Sequence, residues 1–404
     1  MNKKISLVTL GLSLSSIVLL TGAMVISQPK YTLKNIVGKQ SSLGDVTIFS
    51  QEQRGIYSTN NVILSKDKYQ VNKNIKQNPD LYKYSKEFNE NRELFKGYVY
   101  DTDFIYSDEN SIGYIEYIDE HYGESDITLS TTIKNKNLDT EEISEFRIEI
   151  PNSLKPENNN QHKQLVTKYN GEVYIILLGE QESNPDTKKT GKDELEYFVE
   201  ISKIDFNNKE AKYINKINLK IDDKSKYRVV PHNPFVIDNR VYFYLEDQDG
   251  LKNNYYLAYY DIENDKFDYI DNKINLELPL ESYQQNVEGE KLNLLSYISN
   301  KNKMDLSLYT IDLTTGNVVA NNEQYSIKKS NKNMDINKFR IIDNKIYILS
   351  NLSNVDNMNS RFNRECTDNV MVLDKTSKST LYIGEYRQGD EFTSNSYILK
   401  NDEL

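Results

Sequence analysis

The feature that most constrains this chain is a short unit of alternating residues that recurs along it. In the segment 236–270, Val241, Phe243 and Leu245 alternate with two tyrosines. That period of two fills both faces of a sheet. The segment predicts a short strand, a tight corner, a second strand, a polar loop, a third strand, a tight turn and a last strand. A chain made of such units builds several small sheets.

The unit recurs at intervals that identify a repeat architecture. Its second strand is predicted to begin at Val46, Ile112, Val173, Val241, Leu292 and Ile346. The spacings are 66, 61, 68, 51 and 54 residues. Four-stranded units with periods of this size are typical of propeller blades. We therefore predict an all-β fold, a six-bladed β-propeller over residues 43–404.

A second landmark follows the third strand of each unit, where a polar residue precedes a hairpin turn. These turns are 65–67, 135–137, 205–208, 261–265, 312–317 and 374–377. An Asp at the entrance of a turn can accept hydrogen bonds from the N–H groups of that turn. We interpret these residues as structural, because a feature repeated in every unit marks the fold and not an active site.

The two ends of the chain complement each other. The C-terminal segment 398–404 resembles the first strand of the last unit, 340–346, and stops where a second strand should begin. The first unit has the opposite defect, since Val46 opens a second strand without a convincing first one. We therefore predict that residues 395–400 supply the innermost strand of the first blade, which closes the ring.

These units resemble extracytoplasmic β-propellers. The hairpin at 309–319 is similar to the outer hairpin of quinoprotein-type blades. The cofactor of that group is not implied here, because its blades depend on a recurrent Trp and this chain has none. We expect no cofactor other than a divalent metal such as calcium.

The N-terminus predicts export. Residues 5–26 carry no charge and are long enough to span a bilayer as a helix, and Lys3 and Lys4 precede them. We favour a single-pass anchor in the cell membrane over residues 1–27, with the bulk of the chain outside and a linker at 28–42. The alternative is a cleaved signal peptide and a secreted protein, because Thr21-Gly22-Ala23 is an acceptable cleavage site.

One segment does not fit a blade. In residues 79–96, Leu81, Tyr84, Phe88 and Phe95 recur near helical spacing, and Pro79 suits a first helical turn. We predict a helical insertion that packs on the propeller, with a partner-binding helix as the alternative.

Charge and cysteine content exclude some function classes. The net charge is −11 with both signs interspersed, so the chain lacks the basic stripe of a nucleic-acid-binding protein. The single cysteine, Cys366, allows no internal disulfide. It is either a thiol activated by nearby arginines or an incidental loop residue.

The histidines give one candidate metal site. His121, His162 and His232 are predicted at loops that emerge on one face of a propeller, on three consecutive blades. Asp247 and Asp249 are predicted on the same face. Histidines with carboxylates can bind a divalent metal, and the acidic loop could hold calcium. The alternative is that all five are solvated loop residues.

Two predicted loops are longer than their counterparts in other units, at 179–196 and 351–368. Polar insertions on a rigid scaffold commonly carry binding residues, although they are also tolerated as decoration.

Three functions remain open, because the chain has no Walker loop, nucleophile elbow or zinc-protease motif. We favour a non-enzymatic binding or scaffolding module that contacts another envelope or membrane protein. The first alternative is an accessory subunit of a membrane transporter complex. The second is a carbohydrate- or peptide-directed hydrolase or lyase, with paired carboxylates at the mouth of the propeller channel.

Overall fold

A computed structural model describes most of the chain between residues 30 and 401. The described residues are 30–54, 58–75, 90–95, 104–116, 118–122, 127–151, 161–182, 195–218, 227–237, 239–247, 254–270, 274–299, 303–315, 317–328, 333–353, 366–389 and 395–401. All structural statements below refer to them.

Within these residues the secondary structure is almost entirely β, and this confirms the predicted all-β class. The strands are β1 Lys34–Gly38, β2 Val46–Arg54, β3 Ser58–Leu64, β4 Tyr69–Ile75, β5 Ile105–Ser107, β6 Ser111–Ile115, β7 Asp119–Tyr122, β8 Ile127–Asn137, β9 Ile143–Ile150, β10 Gln161–Tyr169, β11 Glu172–Glu182, β12 Leu195–Asp205, β13 Glu210–Asn218, β14 Tyr227–Ile237, β15 Arg240–Asp247, β16 Asn254–Asp261, β17 Lys266–Tyr269, β18 Ile274–Asn275, β19 Gln284–Glu288, β20 Lys291–Ser299, β21 Lys303–Asp312, β22 Val318–Lys328, β23 Asn333–Ile342, β24 Lys345–Ser353, β25 Cys366–Asp374, β26 Thr380–Gly389 and β27 Asn395–Lys400. Short 3-10 helices cover Gln40–Leu43 and Leu280–Ser282.

The described strands form six sheets, which we number along the chain. Sheet one has the order β27-β2-β3-β4, and sheet two has β5-β6-β8-β7 with β9 on β8. Sheet three is β10-β11-β12-β13, and sheet four is β14-β15-β16-β17 with β18 on β16. Sheet five is β19-β20-β21-β22, and sheet six is β23-β24-β25-β26-β1. The second strand of each sheet begins within one residue of its predicted start.

The chain divides into two compact units. The first comprises Met1–Pro79, Tyr297–Ser307 and Glu323–Leu404, and it contains sheets one and six. The second comprises Asp80–Ser296 and Leu308–Asn322, and it contains sheets two, three and four. The strands of sheet five are divided between the two.

The core of the first unit lies between sheet one and sheet six. Ile48 and Val62 of sheet one pack in one buried cluster with Leu349, Val370 and Tyr386 of sheet six. The alternation of apolar residues along β2, β24 and β25 creates the two faces that meet there. Truncating one such side chain to Ala typically costs about 2–5 kcal/mol.

The second unit repeats this arrangement with successive sheets. One cluster joins sheets two and three, for example through Ile133 and Leu177. Another joins sheets three and four through Ile176 and Phe243. A third packs β16 of sheet four against β20 and β21 of sheet five, and Leu257 belongs to it. Sheets three and four therefore each bury both of their faces, as the period-two pattern predicts.

The predicted turn residues have the structural role assigned to them. Asp205, Asp312 and Asp374 each accept hydrogen bonds from two backbone N–H groups of the turn that follows. Asp261 accepts one, from Asn264. In sheet two the acceptor is the side chain of Asn137. The Thr314 hydroxyl also donates to Asp312. This bond, together with the backbone bonds, lowers the pKa of Asp312 to about 2.

The C-terminal strand lies where the sequence predicts it. β27 pairs antiparallel with β2, with Ile398 opposite Ile48 and Lys400 opposite Val46. Asn401 continues the pairing through a backbone hydrogen bond to Asp45. The last strand of the chain is therefore the first strand of sheet one, and this covers an edge of β2 that would otherwise be open.

The predicted anchor at residues 1–27 lies outside the described residues. Among those that are described, no helix is long and apolar enough to cross a bilayer. The predicted linker is structured in part, since β1 pairs with the outer strand β26 of sheet six.

Only residues 90–95 of the predicted helical insertion at 79–96 are described. Leu94 and Phe95 are buried there and pack on Ile112 and Tyr114 of sheet two. The remainder of the insertion lies outside the described residues, so its helical form stays a prediction.

Candidate active site

A row of four polar residues crosses sheet six near one end. The backbone of Asp335 on β23 lies opposite Asn351 on β24, Asn351 lies opposite Asp368 on β25, and Asp368 lies opposite Arg387 on β26. We call these residues the sheet-six row. Neighbouring strands are about 4.8 Å apart, so the backbones of the two aspartates are separated by about 10 Å.

The buried half of the row is an ion pair. Arg387 Nη1 donates to Asp368 Oδ2 at 3.1 Å, and both side chains are 0% exposed. Removing two charges from water costs several kcal/mol per ion, and this cost is offset only when the remaining hydrogen-bonding groups are also satisfied. Here Asn351 supplies one such group when its amide is oriented with the nitrogen toward the carboxylate, since Nδ2 then lies 2.8 Å from Asp368 Oδ1 and can donate to it.

The ion pair connects to the surface through two amides. In the same orientation, Asn351 Oδ1 lies 2.6 Å from Asn337 Nδ2 and 3.3 Å from Asn337 Oδ1, so the two amides are side by side. Asn337 occupies a β-bulge in β23 between Ile336 and Lys338, and it is exposed. Bulges of this kind re-aim a side chain and are frequent beside functional sites.

The exposed end of the row is a carboxylate held by a phenol. Asp335 accepts a hydrogen bond from the Tyr297 hydroxyl. Burial raises the pKa of Tyr297, and the hydrogen bond to Asp335 raises it further. Tyr297 therefore stays protonated at neutral pH, and it fixes the orientation of a carboxylate that remains open to solvent.

Sheet one supports the buried half of the row. Tyr386 precedes Arg387, and its hydroxyl is 2.7 Å from Ser50 Oγ, which is 2.6 Å from Ser396 Oγ. The Tyr69 hydroxyl donates to the Tyr386 carbonyl at 2.7 Å. Burial and the nearby charge of Asp368 raise the pKa of Tyr386, so this hydroxyl is also neutral.

A second pair of buried polar residues lies beside the row. Ser350 and Asn369 are opposite each other on β24 and β25, and each is 1% exposed. Ser350 Oγ and Asn369 Oδ1 have no hydrogen-bond partner within the described part of the chain. Buried polar groups are normally satisfied, so an ordered water is the expected partner of these two atoms.

The arrangement has a definite chemical capacity. An exposed carboxylate that accepts a fixed hydrogen bond can act as a general base. An exposed amide beside it can bind a hydroxyl group of a ligand. The ion pair is out of reach of a ligand, because both of its side chains are fully buried.

The structure places the predicted metal-site residues in strands of the second unit. His121 lies in β7 opposite Thr128, and His162 lies near the start of β10 opposite Gly179. Both were predicted in or beside loops. The candidate metal site as a whole stays a prediction.

The other candidates of that site lie in sheet four or outside the described residues. His232 lies in β14 where its register with β15 shifts, and Asp247 ends β15 opposite Tyr227. Asp249 lies outside the described residues. Among the residues that are described, no group of three His, Cys, Asp or Glu side chains is close enough to hold a metal ion. Cys366 opens β25, opposite Ser353.

The sequence carried one signal for the residues of the row. Asn351 and Asp368 are the two ends of the predicted insertion at 351–368, which was singled out for its length. Asp335 and Arg387 had no comparable signal, because neither belongs to a recognisable motif.

Comparisons with known proteins were made for the sequence and for the structure. No protein-family model and no curated protein matches the sequence. The chain is similar in structure to a GH43 β-1,3-galactosidase with galactodeoxynojirimycin, at 10% identity and a TM-score of 0.32, over 69% of this chain and 92% of that one. A GH32 β-fructofuranosidase from Bombyx mori matches at 12% identity and a TM-score of 0.32, over 69% of this chain and 61% of that one.

A further similar structure is a hypothetical selenium-binding protein from Sulfolobus tokodaii. It matches at 8% identity and a TM-score of 0.35, over 88% of this chain and 93% of that one. The propeller-type organisation stays a prediction from the repeat.

The comparison corrects one prediction. The chain was predicted to be a non-enzymatic binding or scaffolding module, but the similar structures include carbohydrate hydrolases. Composition and missing motifs led to the error, because catalytic carboxylates on separate strands form no motif. Similarity at this level assigns no substrate, and the proposal below is argued from the residues of the site.

Proposed function

We propose that the protein is a carbohydrate-directed hydrolase or lyase built on a six-bladed β-propeller, with its active site at the sheet-six row. The six sheets in chain order and the pairing of β27 with β2 support a closed ring. In such a ring the first strand of each blade is innermost, so β23 brings Asp335 to the mouth of the channel.

The observation that carries this proposal is the hydrogen bond from Tyr297 to the exposed carboxylate of Asp335. Hydrolases and lyases both need a positioned base. In a hydrolase the carboxylate deprotonates the water that attacks the anomeric carbon as the glycosidic C–O bond breaks. In a lyase it removes a proton from a sugar carbon as the neighbouring C–O bond breaks and a carbon–carbon double bond forms. In both reactions the departing oxygen takes up a proton from solvent. The phenol restricts the carboxylate to one orientation, which is the geometric requirement for either reaction.

The buried ion pair has a separate role. Asp368 is bonded to Arg387 and to Asn351, so neither of its oxygens is available to a substrate. Asp368 instead holds the amide of Asn351, which contacts the exposed amide of Asn337. We therefore assign the base to Asp335 and a positioning role to Asp368.

In our proposal the protein works outside the cell, held by the apolar segment at 5–26. The low content of Cys and the evenly mixed charge are compatible with this location. A partner in the envelope is a further part of the proposal, and co-purification from membranes would identify one.

The test is an activity screen of the full-length protein in detergent, with aryl glycosides and polysaccharides as substrates. We expect turnover by the wild type and a loss of about 10²–10⁴-fold for Asp335→Asn. A product with a new carbon–carbon double bond identifies a lyase, and a new reducing end alone identifies a hydrolase.

The matched control is Asp305→Asn. Asp305 is also an Asp of the first unit, and its carboxylate contacts Lys303 and Ser326 in place of a phenol. We expect this variant to retain wild-type turnover. Equal activity of Asp335→Asn and wild type would refute the assignment of the base, and no turnover of any substrate by the wild type would refute the proposed function.

A further inference from the structure

We infer that the site takes a polysaccharide of carboxylated sugars, and that Lys338 binds the carboxylate beside the bond that breaks. The inference rests on the proposed function, because it names the substrate class of the same site and selects the lyase over the hydrolase. It follows from a β-bulge that brings a carboxylate and two cations to one face of β23.

The bulge decides which side chains share a face of β23. Side chains alternate between the two faces of a regular strand, so residues three apart lie on opposite faces. The register of β23 skips Asn337, because Ile336 and Lys338 lie opposite consecutive residues of β24. Asp335 and Lys338 therefore lie on the same face, and both are exposed.

Arg340 adds a second cation to this face. It lies two residues beyond Lys338, which is about 7 Å further along the strand and on the same side. Its partner on β24 is Tyr347, a member of the cluster between sheets six and one. Along the described part of β23, this face presents the proposed base followed by two positive charges. The other carboxylate of the sheet-six row, Asp368, is neutralised by Arg387.

Sheet one holds both cations in place. Lys338 Nζ lies 4.6 Å from the centre of the Tyr397 ring on β27. Arg340 Nη1 donates to the carbonyl of Ile398 on the same strand at 3.1 Å. An ammonium has three N–H donors, and a cation–π contact leaves donors that point away from the ring. Lys338 thus offers a positioned charge to an anionic ligand.

The order of base and cation matches an elimination reaction. Asp335 removes the proton of the sugar carbon that bears the carboxylate. The electron pair of that C–H bond forms a double bond to the neighbouring carbon, whose glycosidic C–O bond breaks, and the departing oxygen takes up a proton from solvent. Negative charge grows on the sugar carboxylate as the proton leaves, so a cation bound to it lowers the barrier. Lys338 supplies that cation.

The alternatives use the arrangement less completely. A sulfate ester would bind the same cations, but it does not make the neighbouring C–H bond acidic. A neutral sugar would leave two positioned cations without an anion. A polymer of uronic acids provides a carboxylate for Lys338 and another, on an adjacent sugar, for Arg340. We therefore assign polyuronates as the substrate class.

The first experiment measures binding to the full-length protein carrying Asp335→Asn, which holds ligands without turnover. The probes are a panel of polyuronates, the same polymers with their carboxyl groups reduced to alcohols, and sulfated neutral polysaccharides. We expect binding to the polyuronates only. Adding Lys338→Met should weaken that binding about tenfold, as expected for one lost charge-assisted hydrogen bond, whereas Lys338→Arg should retain it.

The matched control is Lys34→Met in the same Asp335→Asn protein. Lys34 lies on β1, at the opposite edge of sheet six from β23, and its ammonium is 3.6 Å from Glu385. The substitution removes one positive charge from the same sheet, so equal binding before and after it shows that net charge alone is not responsible. Circular dichroism of each variant checks that the fold is retained.

The second experiment measures turnover of a bound polyuronate, with the ultraviolet absorbance of the unsaturated product as the readout. In the otherwise wild-type protein, Lys338→Met should lower kcat about 10²-fold, because it removes one group that stabilises the developing charge. Lys338→Arg should restore most of the rate. A merely structural role of Lys338 would lower the melting temperature and leave the kcat of the folded protein unchanged.

The outcomes separate this inference from the proposed function. If the wild type cleaves a neutral polysaccharide to give a new reducing end alone, the inference is wrong and the proposed function remains. If polyuronates bind through Lys338 and the wild type cleaves no substrate, the ligand class stands and the proposed function fails. Preference for sulfated polymers, equal binding of carboxyl-reduced polymers, no binding of any polyuronate, or no effect of Lys338→Met overturns the inference.

Discussion

Sheets three and six contain comparable polar rows with different consequences. The sheet-three row consists of Gln164, Leu177, Glu200 and Lys216, which lie opposite one another on four successive strands. Like the sheet-six row, it ends with an acid on the third strand and a base on the fourth. The second unit and the first unit thus each bury a charged pair within a sheet.

The two ion pairs differ in closeness and burial. Glu200 and Lys216 are 3.7 Å apart, and the Lys216 side chain retains 14% exposure. Its ammonium also lies 5.0 Å from the Phe198 ring, so part of its stabilisation comes from a cation–π contact. The pair in sheet six is a direct hydrogen bond with no exposure of either side chain.

The second position of each row decides whether the pair reaches the surface. In sheet six this position is Asn351, which passes hydrogen bonds from Asp368 to Asn337. In sheet three it is Leu177, which can pass none. Both side-chain amide atoms of Gln164 are consequently buried without a partner among the described residues. A polar row becomes a functional relay only when every position can both donate and accept as required.

The largest expected effect separates the two ion pairs. Arg387→Leu should destabilise the protein by about 3–5 kcal/mol, because it leaves the charge of Asp368 buried and unpaired. Lys216→Leu should cost about 1–2 kcal/mol, because the pair is longer and borders on solvent. Urea unfolding of both variants measures the difference, and a larger loss for Lys216→Leu would contradict the ranking.

Replacing both partners should separate stability from function. The double variant Asp368→Leu/Arg387→Met should recover stability to within about 1 kcal/mol of wild type, since apolar replacements of buried pairs are commonly neutral. Its turnover should still fall, because Asp368 no longer positions Asn351 beside the proposed base. Full turnover by a stable double variant would show that the ion pair has no positioning role.

Leu at the second position of the sheet-six row and Leu at the first position of the sheet-three row should change the free energy of unfolding in opposite directions. Asn351→Leu should destabilise by about 1–3 kcal/mol, because Asp368 loses a hydrogen bond in a buried setting. Gln164→Leu should stabilise by about 1 kcal/mol, because it replaces two unsatisfied buried groups by an apolar side chain of similar size. Thermal unfolding measures both signs, and destabilisation by Gln164→Leu would mean that its amide has a role.

Much of the fold was predictable because its signals are local. Alternation along a few residues located the second strands, and turn chemistry located acceptors such as Asp312 and Asp374. The pairing of β27 with β2 was also predicted, because the sequence of residues 398–404 resembles that of residues 340–346. The first two features are each contained within about ten neighbouring residues, and the third needs only a comparison of two short segments, so no tertiary information was needed.

The site was not predictable in the same way. Asp335, Asn351, Asp368 and Arg387 are far apart in the chain and meet only through strand register. The sequence search favoured histidines and acidic loops because those residue types announce metal chemistry. Insertion length was the better signal, since 351–368 is bounded by two members of the row.

The smallest expected effect concerns pH and the support of the sheet-six row. Burial raises the pKa of Tyr69 to about 12 from 10.0, and its hydroxyl donates to the carbonyl of Tyr386 beside Arg387. The folded state therefore binds this proton more tightly than the unfolded state. The resulting stability is fully present below pH 10.0 and is lost as the pH rises through about 12.

Tyr69→Phe isolates this contribution. At about pH 8 the variant should be less stable than wild type by about 1 kcal/mol, the net value of one hydrogen bond. The gap should shrink as the pH rises from about 10 toward 12, because only the wild type loses stability through this phenol. Hydrogen exchange in sheet six and in sheet three tests where in the protein the effect acts. Amides of β26 in sheet six should lose protection in alkali more in wild type than in the variant, while those of β13 in sheet three should respond equally in both. A constant gap across this pH range would place Tyr69 outside the network that supports Arg387.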